Sequence, residues 1–390
     1  MVTKIKTKNY LDTNVYEEAK NRIRYLYSIY DDIEVSFSGG KDSTAMLLCC
    51  IDVAKELDRL PVSAFFYDEE AIHPPTIDYV KRVHDSEEVD LKWYCLPVKH
   101  RNACSNEQPF WYCWHPEEKH LWTREMPECA ITEHKDFVFG MSMQEFGQAH
   151  FKNTNKVVVQ GIRTEESLRR YRVVAMKTEE NYISKPIKGV YYAFPIYDWS
   201  SKDVWRLVKL KNADYNKTYD IFNRTEQYGH LLVQRVCPPY GEEPLRGLHL
   251  YAECFPELWS KMIDRVKGAR TAAMYGNTEL YSTGFKPDQT SWRDHVSNVI
   301  ETYNPKDQIT VTKLINTCIK HHKSNTDEPI PEYEPHIVSG LSWKFLSKVV
   351  TRGDFKGRIT QDLVGERIKT QNKAGLTKEQ AEKLHGKKFT

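Results

Sequence analysis

The chain has no run of eighteen apolar residues among its 390, so no membrane-spanning helix is expected. Its opening, MVTKIKTKNYLDTNVYEEAK, holds no apolar stretch of the kind that directs secretion. Net charge is nearly absent: 56 Lys and Arg stand against 54 Asp and Glu, and the balance of +2 makes no argument for nucleic acid. Zinc-type cysteine spacing is lacking where it would be looked for, since Cys95, Cys104 and Cys113 fall nine apart. The nine cysteines, an odd number without a secretory leader, point to a reducing cytoplasm. What the chain does have is apolar material, 40% of residues against 28% charged, enough for a sizeable core and two or three domains.

Two common phosphate-binding signatures are also missing. Residues 33–48 read IEVSFSGGKDSTAMLL. A G-x-x-x-x-G-K-[ST] loop would need glycine at Val35, and Lys41 is followed by Asp42; the stretch is not G-x-G-x-x-G either. It nevertheless has the build of an anion site. Residues 33–37 form a short apolar strand, Gly39 and Gly40 allow a tight turn, and residues 44–57 read as a helix that contains Cys49 and Cys50. Turn amides and a helix N-terminus together hold an oxyanion, most often phosphate.

Further along, Tyr16, Ala19, Ile23, Leu26 and Tyr27 mark one face of a leading helix. Residues 62–67 read as a strand ending in Asp68-Glu69-Glu70, an acidic cluster at the strand end where parallel sheets place ligands. Residues 91–98 read as another strand. The following stretch, 100–127, carries Trp111, Trp114 and Trp122 and has the length of a lid or recognition loop; a local packed cluster explains it equally well. Strand 157–160 runs into Gly161-Ile162-Arg163-Thr164-Glu165-Glu166-Ser167-Leu168-Arg169-Arg170, where spaced arginines suit a phosphate or sulfate because guanidinium meets two oxygens at once. Ser200 reads as a helix cap reciprocated by Asp203.

In order, S-G-G-K-D-S, the acidic end at Asp68, G-I-R-x-x-E-S-x-x-R and P-I-x-D-W-S-x-x-D-V-W resemble the phosphoadenylyl-sulfate (PAPS) reductase-like superfamily of adenine nucleotide alpha hydrolases, over about residues 30–210. The resemblance implies an α/β, Rossmann-like parallel sheet flanked by helices in residues 1–225, and a mostly helical region with a basic tail in 226–390. It implies that Ser38, Gly39, Gly40, Asp42 and Ser43 bind a phosphate tail, with Lys41 as an added cation. Arg163 and Arg170 would neutralise the phosphate or sulfate, within a nucleotide site that also takes in Asp68, Gly161 and Ser167. ATP and Mg²⁺ are the implied cofactors, with Asp42 and Asp68 as metal ligands and Lys41, Asp42 and Arg163 as the catalytic set.

The second half, from V-C-P-P-Y-G-E-E at residue 236, resembles extended reductase-like proteins of phages and bacteria, among them the immunoglobulin-binding regulator type that works with a ParB-like partner. True sulfonucleotide reductases carry E-C-G-x-H near the C-terminus; here Glu253-Cys254 runs into Phe255-Pro256. The expectation is therefore an ATP-dependent enzyme that cleaves between the α and β phosphates and adenylates an acceptor. The alternatives are a nucleotide-binding regulator acting with a ParB-like partner on DNA, and a sulfonucleotide reductase. Residues 324–335 read as a linker. Residues 351–390 hold ten Lys or Arg against five Asp or Glu, a basic tail that could meet nucleic acid or an acidic partner.

Overall fold

Strand β1 (Asp32–Ser36) lies inside a six-stranded sheet between two parallel neighbours, β2 (Val62–Tyr67) and β6 (Lys156–Gln160). This arrangement is taken from a computed structural model of the chain, which describes residues 11–102, 104–105, 107–175, 181–225, 236, 248–275, 289–352 and 360–387. β1 buries Ile33 to Val35 in succession and β6 buries Val157 to Val159, the unbroken pattern of strands covered on both faces. β3 (Val89–Tyr94) extends the sheet beyond β2, and β8 (Val190–Ala193) beyond β6, both in parallel; β7 (Ile183–Ile187) closes the β8 edge antiparallel. Short strands β4 (Lys99–Arg101) and β5 (Phe110–Tyr112) pair separately.

The chain leaves β1 toward β2 on one side and reaches β6 on the other. The carboxyl ends of β1 and β6 therefore flank the point where strand order reverses, which is where open α/β sheets bind ligands.

Helix α1 (Val15–Ile29) buries Ala19, Ile23, Leu26 and Tyr27, the face its spacing predicts. α2 (Lys41–Glu56) follows β1, and α3 (Pro74–His84) follows β2 with proline in its first turn. Then come α4 (Met143–His150), α5 (Leu168–Ala175), α6 (Ser201–Leu210) and α7 (Thr218–Phe222). The expected Ser200–Asp203 box caps α6. The strand expected over 91–98 ends earlier, at Tyr94. Beyond it the Cys95 N–H pairs with Ile131, and the chain turns tightly at Leu96 and Pro97.

The chain divides into two compact units, residues 1–100 with 112–238, and residues 101–111 with 239–390. The second unit is helical, as expected. Helices Trp292–Glu301, Pro305–Asn325 and Trp343–Arg352 enclose a core that includes Val296, Val311, Ile315, Leu346 and Val349. Residues 324–335 are not a linker between domains. Thr326 donates to the His385 carbonyl, and the Pro331 and Glu332 carbonyls receive the N–H groups of Trp343 and Lys344, so this stretch is knitted into its own unit. Most of the motif beginning at Val236, and parts of the basic tail, lie outside the described residues.

Candidate functional site

The turn between β1 and α2 is held in a shape only glycine suits. Gly39 sits at φ +70°, and a Cβ there would lie 3.0 Å from the Thr76 methyl and 3.1 Å from Val80. Gly40 occupies the cap position of α2 and brings no side chain to satisfy the helix's first amides. The loop closes on itself instead: Ser43 Oγ donates to the Gly40 carbonyl at 2.9 Å and accepts the Ser38 N–H at 3.2 Å, and Thr44 Oγ1 also donates to Gly40. The Lys41 N–H goes to the Tyr219 hydroxyl at 3.0 Å. Among the described residues the Asp42 and Ser43 amides take no hydrogen-bond partner, so two N–H groups are unpaired at the positive end of a 16-residue helix, with Ser43 itself 5% exposed.

Gly161, just past β6, presses against this same turn. A Cβ on it would fall 2.6 Å from the Asp42 carbonyl oxygen and 2.9 Å from the Ser43 nitrogen. Two residues on, Arg163 is only 3% exposed. Its Nε donates to Asp42 Oδ1 at 2.6 Å, and its Nη1 reaches Glu165 at 3.1 Å and the Trp199 carbonyl at 3.3 Å. Lys41, 5% exposed, donates to Asp42 Oδ2 at 2.8 Å. One carboxylate thus bridges two buried cations.

The 195–205 motif contributes to this geometry. The Trp199 carbonyl receives Arg163, and the Tyr197 carbonyl receives both the N–H and the hydroxyl of Thr164. Arg22 from α1 clamps the motif through Pro195 and a two-point pairing with Asp198 at 2.9 and 2.8 Å.

Ser38, Gly39, Gly40, Lys41, Asp42, Ser43, Gly161 and Arg163 therefore come together. Ser167 and Arg170 are engaged beside it: the Ser167 hydroxyl accepts the Arg170 N–H at the start of α5, and the Arg170 guanidinium pairs with Glu166, whose carboxylate also accepts the Arg163 N–H at 3.3 Å. Asp68 lies at the end of β2 as read from the sequence, but it is 1% exposed. Its carboxylate accepts the Trp93 indole N–H at 2.7 Å, the Glu70 N–H at 3.0 Å and the Arg124 guanidinium. Glu70 is equally buried and takes the backbone N–H groups of Trp114 at 2.8 Å and Thr123 at 3.1 Å. These two acids organise the tryptophan-rich stretch. In it Trp114 is buried, meets Trp122 edge-on at 5.0 Å and lies under Arg124 at 4.9 Å. Of the two readings of that stretch, Trp114 and Trp122 follow the packed cluster.

Sequence reasoning misses the brace behind the turn. Asn216 Nδ2 donates to the Gly39 carbonyl at 2.9 Å and to Thr76 Oγ1 at 2.8 Å, and Tyr219 receives Lys41. It also misses a cavity of about 70 Å³ whose wall includes Ser38, Glu69, His73 and Thr76. His73 is 1% exposed, and burial pushes its pKa down to about 3, so its ring is neutral at physiological pH.

Seven of the described thiols are poorly suited to nucleophilic chemistry. Burial raises the pKa of Cys49, Cys50, Cys95, Cys104 and Cys113, and Cys129 and Cys254 are also shifted upward.

A metal between phosphates and protein would need a carboxylate with oxygens to spare. Asp42 fits as a single ligand, because each of its oxygens has one donor and phosphate and water supply the remaining positions around Mg²⁺. Asp68 does not fit, since it is enclosed and already takes three donors.

Residues 32–224 match the phosphoadenosine phosphosulfate reductase domain, and residues 230–328 match a domain of unknown function, DUF3440. The uncharacterized protein YbdN of Escherichia coli (strain K12) is 26% identical over 369 residues, covering 88% of this chain and 89% of its own. Among solved structures, the PAPS reductase of Candida auris in a phosphate complex aligns over 55% of this chain and 93% of its own, with 12% identity and a TM-score of 0.29. The FMN adenylyltransferase of Candida glabrata aligns over 55% and 62%, with 12% identity and a TM-score of 0.35.

Proposed function

We propose that the PAPS reductase-like domain carried by this chain grips the phosphate tail of an adenine nucleotide at residues 38–43, and that the chain is an ATP-dependent adenylating enzyme. The observation that carries this reading is the pair of open amides at Asp42 and Ser43, set between the buried cations Lys41 and Arg163 at the point where strand order reverses.

On binding, phosphate oxygens take the two amides and draw Lys41 and Arg163 away from Asp42. Asp42 would then be free to hold Mg²⁺, which would add positive charge against the phosphates. Lys41, Arg163 and the turn amides stabilise charge developing on the departing pyrophosphate while an acceptor attacks the α-phosphorus. The raised thiol pKa values, and the absence of E-C-G-x-H, speak against sulfonucleotide reduction.

The deciding measurement is pyrophosphate release from purified protein and Mg-ATP, alone and with candidate acceptors, beside Asp42→Ala and Arg163→Ala. Release that both substitutions abolish supports the proposal. ATP binding shown by calorimetry without release under any condition overturns it, in favour of a nucleotide-sensing regulator acting with a ParB-like partner on DNA.

A further inference from the structure

Away from the glycine turn, two histidines and an aspartate converge on one point. His134 Nδ1 lies 3.6 Å from Asp136 Oδ2, and His150 Nδ1 lies 3.3 Å from the same oxygen. The three donor atoms fall within 4.8 Å of one another. Donors about 2.0–2.1 Å from a tetrahedral zinc stand roughly 3.4 Å apart, so the two measured separations are already edges of such a polyhedron. We propose that His134, Asp136 and His150 form a binding site for one divalent transition metal of the zinc class, with a fourth position left to water.

The surroundings hold the donors in place. Phe146 is fully buried, stacks on the His150 ring at 5.7 Å and meets the His134 ring edge-on at 5.2 Å. Tyr94, at the end of β3, packs against both imidazoles at 6.0 and 6.5 Å. The two rings are themselves perpendicular, with centroids 4.6 Å apart. Rings fixed this way lose little freedom when a metal arrives.

Hydrogen bonds already join the three residues. His134 Nδ1 accepts the Asp136 backbone N–H at 3.2 Å and His150 Nδ1 is hydrogen-bonded to Asp136 Oδ2 at 3.3 Å, contacts that an incoming metal would replace. Lys135 and Lys92 are the cations facing the group; Lys92 is paired with Glu34 at 3.0 Å. An imidazole–imidazole–carboxylate set is too nitrogen-rich for Mg²⁺ or Ca²⁺ and suits zinc, cobalt or iron(II).

Such an ion would tie the segment that extends the sheet at Ile131 to the last turn of α4. Nothing in the adenylating proposal requires it, and no cysteine takes part in it. The spacing H-x-D followed by histidine fourteen positions later reads as ordinary loop and helix.

The test uses full-length protein stripped with chelator and titrated with Co²⁺, read by visible d–d absorption, with zinc content measured after gel filtration. We expect one equivalent per chain, and binding weakened more than ~10-fold in His134→Gln and in His150→Gln. Cys129→Ser, which removes an exposed thiol, should leave binding unchanged. Should a histidine variant lose its circular-dichroism spectrum, Asp136→Asn, which keeps the side-chain size, decides in the same way. No stoichiometric uptake by the unmodified chain, or uptake that survives these substitutions, overturns the proposal.

Discussion

The backbone of Gly161 lies against that of Asp42 so closely that a single added methyl would come within 2.6 Å of the Asp42 carbonyl oxygen. The loop after β6 therefore braces the first turn of α2. Gly161→Ala should push the two apart and disturb the open amides more than the fold. We expect a stability loss of about 1–3 kcal/mol, typical of overpacking, and a disproportionate loss of nucleotide affinity. Calorimetric titration beside urea unfolding separates the two; affinity unchanged within error would mean that this contact does not shape the site.

Asp42 occupies both cations that an anion would use. Replacing it with asparagine removes the competing charge while keeping the side-chain size. Asp42→Asn should bind pyrophosphate in the absence of Mg²⁺ more tightly, by roughly 10-fold, the scale of one charge-assisted hydrogen bond. Pyrophosphate release from Mg-ATP should disappear in the same variant. Weaker anion binding would show that Asp42 positions Lys41 and Arg163 and does not compete for them.

The glycine turn, the arginine after β6 and the strands at 33–37, 62–67 and 157–160 were legible because each rests on local chemistry. Strand 62–67, the helix face through Ala19 and Leu26, and the Ser200 cap follow from periodicity and capping alone. The direction of a carboxylate does not. Asp68 sits at a strand end whether it faces a ligand or the Trp93 indole, and only packing decides between them. The support of Lys41 by Tyr219 links residues 178 positions apart with no motif at either end, so it belongs to tertiary structure alone. Gly161 was legible as part of a phosphate motif, but its close approach to α2 was not.

Asp68 distinguishes ligand from scaffold. If it anchors Trp93 and Arg124, Asp68→Ala leaves a half-buried guanidinium and a buried indole N–H without this acceptor, a loss of about 1–3 kcal/mol. Tryptophan emission should shift to the red with it. Asp68→Asn keeps an acceptor oxygen and should cost less, with nucleotide affinity within roughly threefold of the parent, under 1 kcal/mol by the usual conversion. Loss of Mg-nucleotide binding in Asp68→Asn at full stability would make Asp68 a ligand after all.

His73 sets an acid limit on the same region. It occupies the cap position of α3, meets Phe222 edge-on at 5.2 Å and lines the cavity beside Ser38. Burial lowers its pKa from about 6.5 to about 3, so between those values the unfolded chain holds a proton that the folded chain refuses. Its contribution to stability is then complete above about pH 6.5 and shrinks as pH falls toward 3, by up to about 1.4 kcal/mol per pH unit. His134 and His322 are shifted in the same direction and add to the slope. Urea unfolding at pH 7.5 and pH 5.0 should therefore show a steeper loss for the parent than for His73→Gln, whose side chain does not titrate. The difference should approach one proton's worth over that interval. Equal slopes would mean that His73 gains a proton in the folded chain without penalty, and that the α3 cap relaxes toward water as pH falls.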